Sequence, residues 1–194
     1  MGFQLEGKVI FFATNNINKF QEARRVLAEY KIAVGMLRVK TSEIQSESLE
    51  EIAKTSAIEA FRNCNLPLIV EDAGLFVEAL NGFPGPYAAY VFKTIGNRGL
   101  LQLMESIKNR KARFSSVVAY HSVHCKSPIC FEGEAPGKIT EDERRSGNGH
   151  GFGFDPIFKP VNSNKTFAEM SLSMKNRYSH RANALHKFAQ WYKR

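Results

Sequence analysis

Four stretches of the sequence hold residue types at spacings that can do chemistry. The first is "TNNINK", Thr14 to Lys19, set between the apolar run "KVIFFA" and a helix-periodic segment. Backbone amides at a helix start, side-chain donors on Thr14, Asn15 and Asn16, and the Lys19 ammonium can together bind phosphate oxygens. The glycines of a P-loop are missing, and the same residues suit a plain helix start in which Lys19 pairs with Glu22 one turn on. The second group is acidic: Glu43, Glu71 and Asp72, the last two following the hydrophobic run "PLIV". Charges at the end of a buried strand are costly unless paired, metal-bound or at a cleft. In parallel α/β sheets those strand ends line the ligand crevice. Mg²⁺ needs only one or two carboxylates there, with phosphates and waters completing its shell; a solvated strand end is the alternative.

The third group, "KNRYSHR", brings Lys175, Arg177, His180 and Arg181 to the start of the last helical segment. Cations at a helix start oppose its dipole unless an anion or polar ligand sits among them; otherwise they are surface charges beside a Ser179 cap. The fourth is "GHGFGFDPIF", residues 149–158, where Phe152 and Phe154 alternate with glycines ahead of Asp155. Glycine weakens a strand, so the stretch is either a turn that buries two rings or a platform for a flat ligand. His121, His124, Cys125 and Cys130 lack the paired spacing of a zinc site and are assigned core or surface roles.

The elements that must position these groups follow from periodicity. "KVIFFAT" is a buried strand, and Phe20, Ala23, Val26, Leu27 and Tyr30 mark the apolar stripe of a helix. "VGMLRV" is a second strand. "SLEEIAKTSAIEAFRNC" is a helix with Ser48 as its cap and Glu51 three residues on, the capping-box pattern. "PLIVEDAGL" is a strand running into the two acids, and "NGFPGPYAAY" is a Gly/Pro loop. "RFSSVVAYHSV" and "ICFEGEAPGKI" form two antiparallel strands, and "SHRANALHKFAQWY" closes the chain as an amphipathic helix. A strand feeding a helix through a polar loop is the start of an α/β protein. The reading is one compact α/β domain over residues 1–194, with room for two lobes around a cleft.

Composition bounds the function. At 43% hydrophobic and 24% charged residues the chain is an ordinary globular protein, and its apolar runs are too short to span a bilayer. Three cysteines without tight spacing, and no apolar leader, lead to the expectation of a reducing, cytoplasmic setting. A net charge of +8 attracts anions, either nucleic acid or phosphorylated small molecules, but the basic residues are dispersed rather than gathered in a tail.

In their order along the chain, these motifs resemble the Ham1-like family of inosine/xanthosine triphosphate pyrophosphatases. "ATNNINKFQE" is similar to the family's T-x-N-x-x-K-x-x-E opening, "EDAGL" to its acidic strand end and "GFPGPY" to the loop after it. "GFGFDPIF" resembles its base-binding segment, and "TFAEM" and "SHR" its final signatures. The resemblance covers nearly the whole chain. It implies an elongated mixed β-sheet with flanking helices and two lobes around a central cleft. It implies hydrolysis of ITP, dITP and XTP to the monophosphate and pyrophosphate, with Mg²⁺ as cofactor and a homodimer as the assembly. Thr14, Asn15, Asn16, Ile17, Asn18 and Lys19 would hold the polyphosphate. Glu43 and Asp72 would hold Mg²⁺, with Asp72 also accepting the proton of the attacking water, and Ala73 would touch substrate. Phe152, Gly153, Phe154 and Asp155 would contact the nucleoside, and Lys175, His180 and Arg181 would complete the site. The chain departs from the family at Ser56, where many members carry a lysine that Lys54 would have to replace, and at Met174, where many carry a glutamate.

Overall fold

In the computed structural model, which describes residues 8–41, 44–146 and 151–194, the first strand, β1 (Lys8–Ala13), buries Ile10 and Phe12. It passes through Thr14–Asn16 into α1 (Ile17–Ala28). The Asn16 side chain caps this helix, accepting from the amides of Asn18 (2.9 Å) and Lys19 (3.2 Å). Such a cap contributes about 1 kcal/mol and leaves the helix start pointing out of the sheet. β2 (Ile32–Leu37) then runs parallel to β1. Next comes α2 (Leu49–Cys64), whose buried Leu49, Ala53, Ala57 and Ala60 form a stripe of mostly small residues that lets the helix lie close to the sheet.

The Ser48 cap of α2 accepts from the Glu51 amide at 3.2 Å. The return arm of the expected capping box is absent in its simple form. The Glu51 carboxylate instead takes the Ser46 hydroxyl (2.6 Å), and the Ser46 oxygen accepts from the Ser48 amide (3.0 Å). One extra hydroxyl thus closes the box.

β3 (Leu68–Val77) is the central strand. It pairs parallel with β1 only at Leu68 and Ile69, and antiparallel along its whole length with β5 (Lys111–His121). Between them in sequence lie the short β4 (Pro84–Gly85), which pairs with β3, and two helices, α3 (Ala88–Thr94) and α4 (Gly96–Leu103). β6 (Ile129–Ile139) continues the antiparallel meander, and β7 (Phe158–Pro160) forms its edge. The chain ends in α5 (Leu172–Asn176) and α6 (His180–Tyr192). Strand order is β2-β1-β3-β5-β6-β7, a mixed sheet with flanking helices.

Burial divides into three clusters. Ile10, Phe12 and Ile69 pack under α1 and α6 on one face, and Leu68, Val70 and Val117 under α2 on the other. A third cluster gathers the far halves of β3, β5 and β6 with α3, α4 and the segment after Phe154. The two acids expected at a strand end stand in mid-strand instead. They sit just past the last residue that β3 shares with β1, because β1 stops at Ala13 while β3 runs on. The opening between the parallel and antiparallel parts of the sheet is where chemistry can be placed.

Candidate active site

Strand alternation sends Glu71 and Asp72 to opposite faces. Glu71 shares the face of Ile69, under α1 and α6, while Asp72 shares that of Val70, under α2. On the Glu71 side, the capped start of α1 presents Lys19, whose Nζ lies 2.9 Å from Glu71 Oε2 and donates to the Glu71 carbonyl at 3.2 Å. Lys19 therefore reaches across to β3 and does not pair with Glu22. Thr14 is used locally: its amide donates to Leu37 O (3.0 Å) and its Oγ1 accepts from the Asn16 amide (3.1 Å). Asn15, Ile17 and Asn18 are exposed at the mouth.

Glu22, one turn into α1, is 3% exposed and is the residue that sequence reasoning missed. Its Oε1 lies 2.7 Å from Lys175 Nζ, and its Oε2 accepts from Arg181 Nη1. Lys175 also meets Asp155 Oδ2 at 2.6 Å, and Arg181 Nε lies 3.0 Å from Glu71 Oε1. Three carboxylates and three cations thus alternate in one chain, Asp155–Lys175–Glu22–Arg181–Glu71–Lys19. Only Lys19, with a fifth of its side chain accessible, reaches solvent. Of the late cations, Lys175 and Arg181 are neither surface charges nor waiting for an anion, since the protein supplies their counter-charges, whereas Arg177 is exposed. The visible signal for Glu22 is its place beside the apolar stripe of Ala23 and Val26, where an unpaired carboxylate would be costly.

The pKa values follow from this chain. Burial alone would raise Glu71, but Arg181, then Lys19 and His180, hold it down to about 2. Glu22 is likewise lowered, burial being outweighed by Arg181 and Lys175. Burial lowers Lys175, yet the charges of Asp155 and Glu22 carry it above its ordinary value. Burial keeps Asp155 raised in spite of Lys175. His180 is held well below its ordinary value by burial and the nearby Arg181 charge. Its imidazole stacks on Phe114, with ring centroids 4.7 Å apart at 11°.

Two elements set these side chains. The Ser179 hydroxyl caps α6 by accepting from the Ala182 amide (3.1 Å), which starts the helix at His180. Gly133 of β6 lets that first turn press on the sheet: a Cβ there would stand 2.1 Å from His180 O and 2.4 Å from Ala184 N. Ser171 caps α5 through the Met174 amide (3.3 Å) and so places Lys175.

The glycine-rich stretch resolves in part. The four residues of "GNGH", 147–150, lie outside the described residues, as does Glu43. The Phe152 amide donates to Asp155 Oδ2 (2.9 Å), and its half-buried ring lies 4.6 Å from Lys175 Nζ and 5.6 Å from the Arg181 guanidinium carbon. These cation–π contacts hold one face of the ring against the ionic chain. Phe154 turns away: it is buried in the third core cluster, edge-on to Phe92 at 5.4 Å, so its side chain is structural. The bare backbone at Gly151 serves packing, since a Cβ there would come within 2.8 Å of Ala168 Cα. The close approach there is to the protein's own backbone. Gly153 answers a different need, a left-handed turn at φ +58°.

Lys54 and Ser56 both lie on α2. Lys54 pairs with Glu50 at 2.5 Å on the half-exposed face of the helix. Ser56, two positions on, lies on the other flank of the helix. Among the described residues no group of three or more His, Cys, Asp or Glu side chains is placed to hold a metal. No helix among them is long and apolar enough to cross a membrane.

The fold and site together define an α/β protein that gathers buried ion pairs and a mid-strand aspartate where the sheet changes from parallel to antiparallel. The chain belongs to the Ham1 family, whose model matches residues 10–191. It is 50% identical over 184 residues to the dITP/XTP pyrophosphatase of Methanopyrus kandleri, covering 95% of this chain and 96% of that protein. It is 47% identical over 182 residues to the one of Thermococcus kodakarensis, covering 94% and 96%. Among solved structures, the Ham1 protein of Coxiella burnetii superposes with a TM-score of 0.82 at 27% identity, covering 96% of this chain and 98% of that one. The Staphylococcus aureus Ham1 protein gives 0.80 at 28%, with the same coverage.

Proposed function

We propose that the protein hydrolyses non-canonical purine nucleoside triphosphates, ITP, dITP and XTP, to the monophosphate and pyrophosphate. The observation that carries this reading is the placement of Asp72 and Glu71 side by side on β3, facing opposite ways, beside the α1 start with Lys19. One acid serves the reaction and the other holds the cations. The two dITP/XTP pyrophosphatases that match nearly end to end support the substrate class.

The polyphosphate lies over the start of α1. There the positive end of α1, the side chains of Thr14, Asn15 and Asn18 and the Lys19 ammonium offer donors and positive charge, with Ile17 exposed beside them. Asp72 accepts the proton of the water that attacks the α-phosphorus, and pyrophosphate leaves toward Lys19. Ala73, next on β3, lines the path. A hard divalent ion suits this donor set, since Mg²⁺ is held by one or two carboxylates and by the substrate's own phosphates. Asp72 and Glu43 would hold it, and when bound it offsets phosphate charge and acidifies water.

The base lies against the half-buried Phe152 ring at the edge where Arg181 approaches it. Arg181 is a donor only, and two of its five N–H groups are committed to Glu22 and Glu71. The rest can meet a 6-keto oxygen but cannot accept from an adenine amino group. Lys175 and Asp155 brace Phe152, and His180 stacks behind. The assembly is a homodimer formed through the exposed Phe83, Tyr87, Tyr90 and Ile95. It works in the cytoplasm, where the nucleotide pool is.

The deciding experiment incubates the protein and Mg²⁺ with ITP, dITP, XTP and the four ordinary ribonucleotides. Pyrophosphate release with preference for the 6-keto purines is expected. Orthophosphate release, or equal turnover of ATP, would defeat the proposal.

A further inference from the structure

Glu71 is shared between the two ends of the site. Its Oε2 faces Lys19 at 2.9 Å, at the phosphate end, and its Oε1 faces Arg181 at 3.0 Å, at the base end. The carboxylate itself has no solvent exposure. Neither contact is a well-aligned hydrogen bond, since among the described residues neither oxygen receives one. They are close-range ion pairs in a place that water cannot enter to replace a lost partner. Arg181 has a second ionic anchor in Glu22 and is buried, whereas the other contact of Lys19 is the neutral Glu71 carbonyl (3.2 Å) and a fifth of its side chain is accessible.

We infer that Glu71 is a positioning residue that couples the two ends of the substrate. It restrains Lys19 while the phosphate subsite is empty and grips Arg181 harder once phosphate draws Lys19 away. A carboxylate that loses one of two cations in a dry site depends more on the other. Phosphate binding therefore fixes the Arg181 fork in the orientation that reads the base, and a purine is examined most strictly when a triphosphate is attached. This rests on the substrate reading above.

Glu71→Gln keeps the shape and removes the charge. Two quantities are read: inhibition by inorganic tripolyphosphate, which occupies the phosphate end alone, and the kcat/KM ratio for ITP over ATP. Glu71→Gln should bind tripolyphosphate about three- to tenfold more tightly, because Lys19 no longer has a rival anion, while the ITP/ATP ratio falls at least about tenfold. A merely structural role would weaken both together. That result, or no change in either, overturns the inference. Should Glu71→Gln fail to fold, Lys19→Met, at a partly exposed position, decides the matter. It leaves Glu71 to Arg181 alone, so the ITP/ATP ratio should rise at least about threefold, although Lys19 meets Arg181 only through the Glu71 carboxylate; an unchanged or lower ratio overturns the coupling. The unaltered protein is run in parallel. If it shows no ITP turnover, the substrate reading has failed, whereas normal ITP preference with unmoved variants removes only the coupling.

Discussion

At the scale of single residues, the two acids of β3 carry opposite burdens and their substitutions should differ in kind. Asp72→Asn removes a proton acceptor on the face of β3 away from Glu71 and its cations, so turnover of ITP should fall about 10²–10⁴-fold. Near-normal kcat would remove Asp72 from that role. Glu22→Ala does the reverse. It leaves Lys175 and Arg181 buried with one counter-charge each, and breaking such a pair from one side costs about 3–5 kcal/mol, read as a loss in chemical denaturation. The types of most site residues could be read from the sequence, as could the acids, the α1 start and the late cations. Their partners could not. Lys19 and Glu71 are 52 positions apart and Glu22 and Arg181 are 159 apart, and local spacing offered Lys19 a plausible but wrong partner in Glu22. Phe154 shows the same limit: alternation with glycine says nothing of which ring meets the core.

At the scale of elements, the helix caps and the strand runs were legible because their chemistry is local. Asn16, Ser48 and Ser179 each sit where a polar side chain meets orphan amides. What stayed hidden is how long each strand remains paired. The early end of β1 is what turns two mid-strand charges of β3 into an opening, and no residue of β3 announces it. The seat of α6 on β6 is hidden for the same reason, since Gly133 is silent until the helix lies on it. Gly133→Ala drives a methyl into the backbone of His180 and Ala184, so the first turn of α6 must lift and Arg181 must move with it. The expected result is a destabilisation of about 1–3 kcal/mol in thermal or urea unfolding, accompanied by a loss of ITP turnover. A loss of stability with kcat/KM intact would mean that α6 is not held in place there.

At the scale of the molecule, the buried chain of charges makes stability depend on pH in two stages. His180 is buried neutral, below its ordinary value of about 6.5, so the unfolded chain takes up a proton that the folded one refuses. Its contribution is complete above about pH 6.5 and drains away as pH falls below that. Glu71, ordinarily near 4.5, is held to about 2, so its contribution is complete above about pH 4.5 and is lost as pH falls toward 2. Glu22 is lowered and acts in the same direction. Asp155 is raised and opposes them in part, since its folded form takes up a proton first. Stability from urea unfolding should therefore decline gently from pH 7 to 5 and steeply below 4.5. Replacing His180 with Phe keeps an aromatic ring against Phe114 while removing the titrating group, so it should flatten the first stage and leave the second. An unchanged slope between pH 7 and 5 in His180→Phe would show that the imidazole takes up its proton alike in the folded and unfolded protein, and that the nearby carboxylates offset both its burial and the three cations around it.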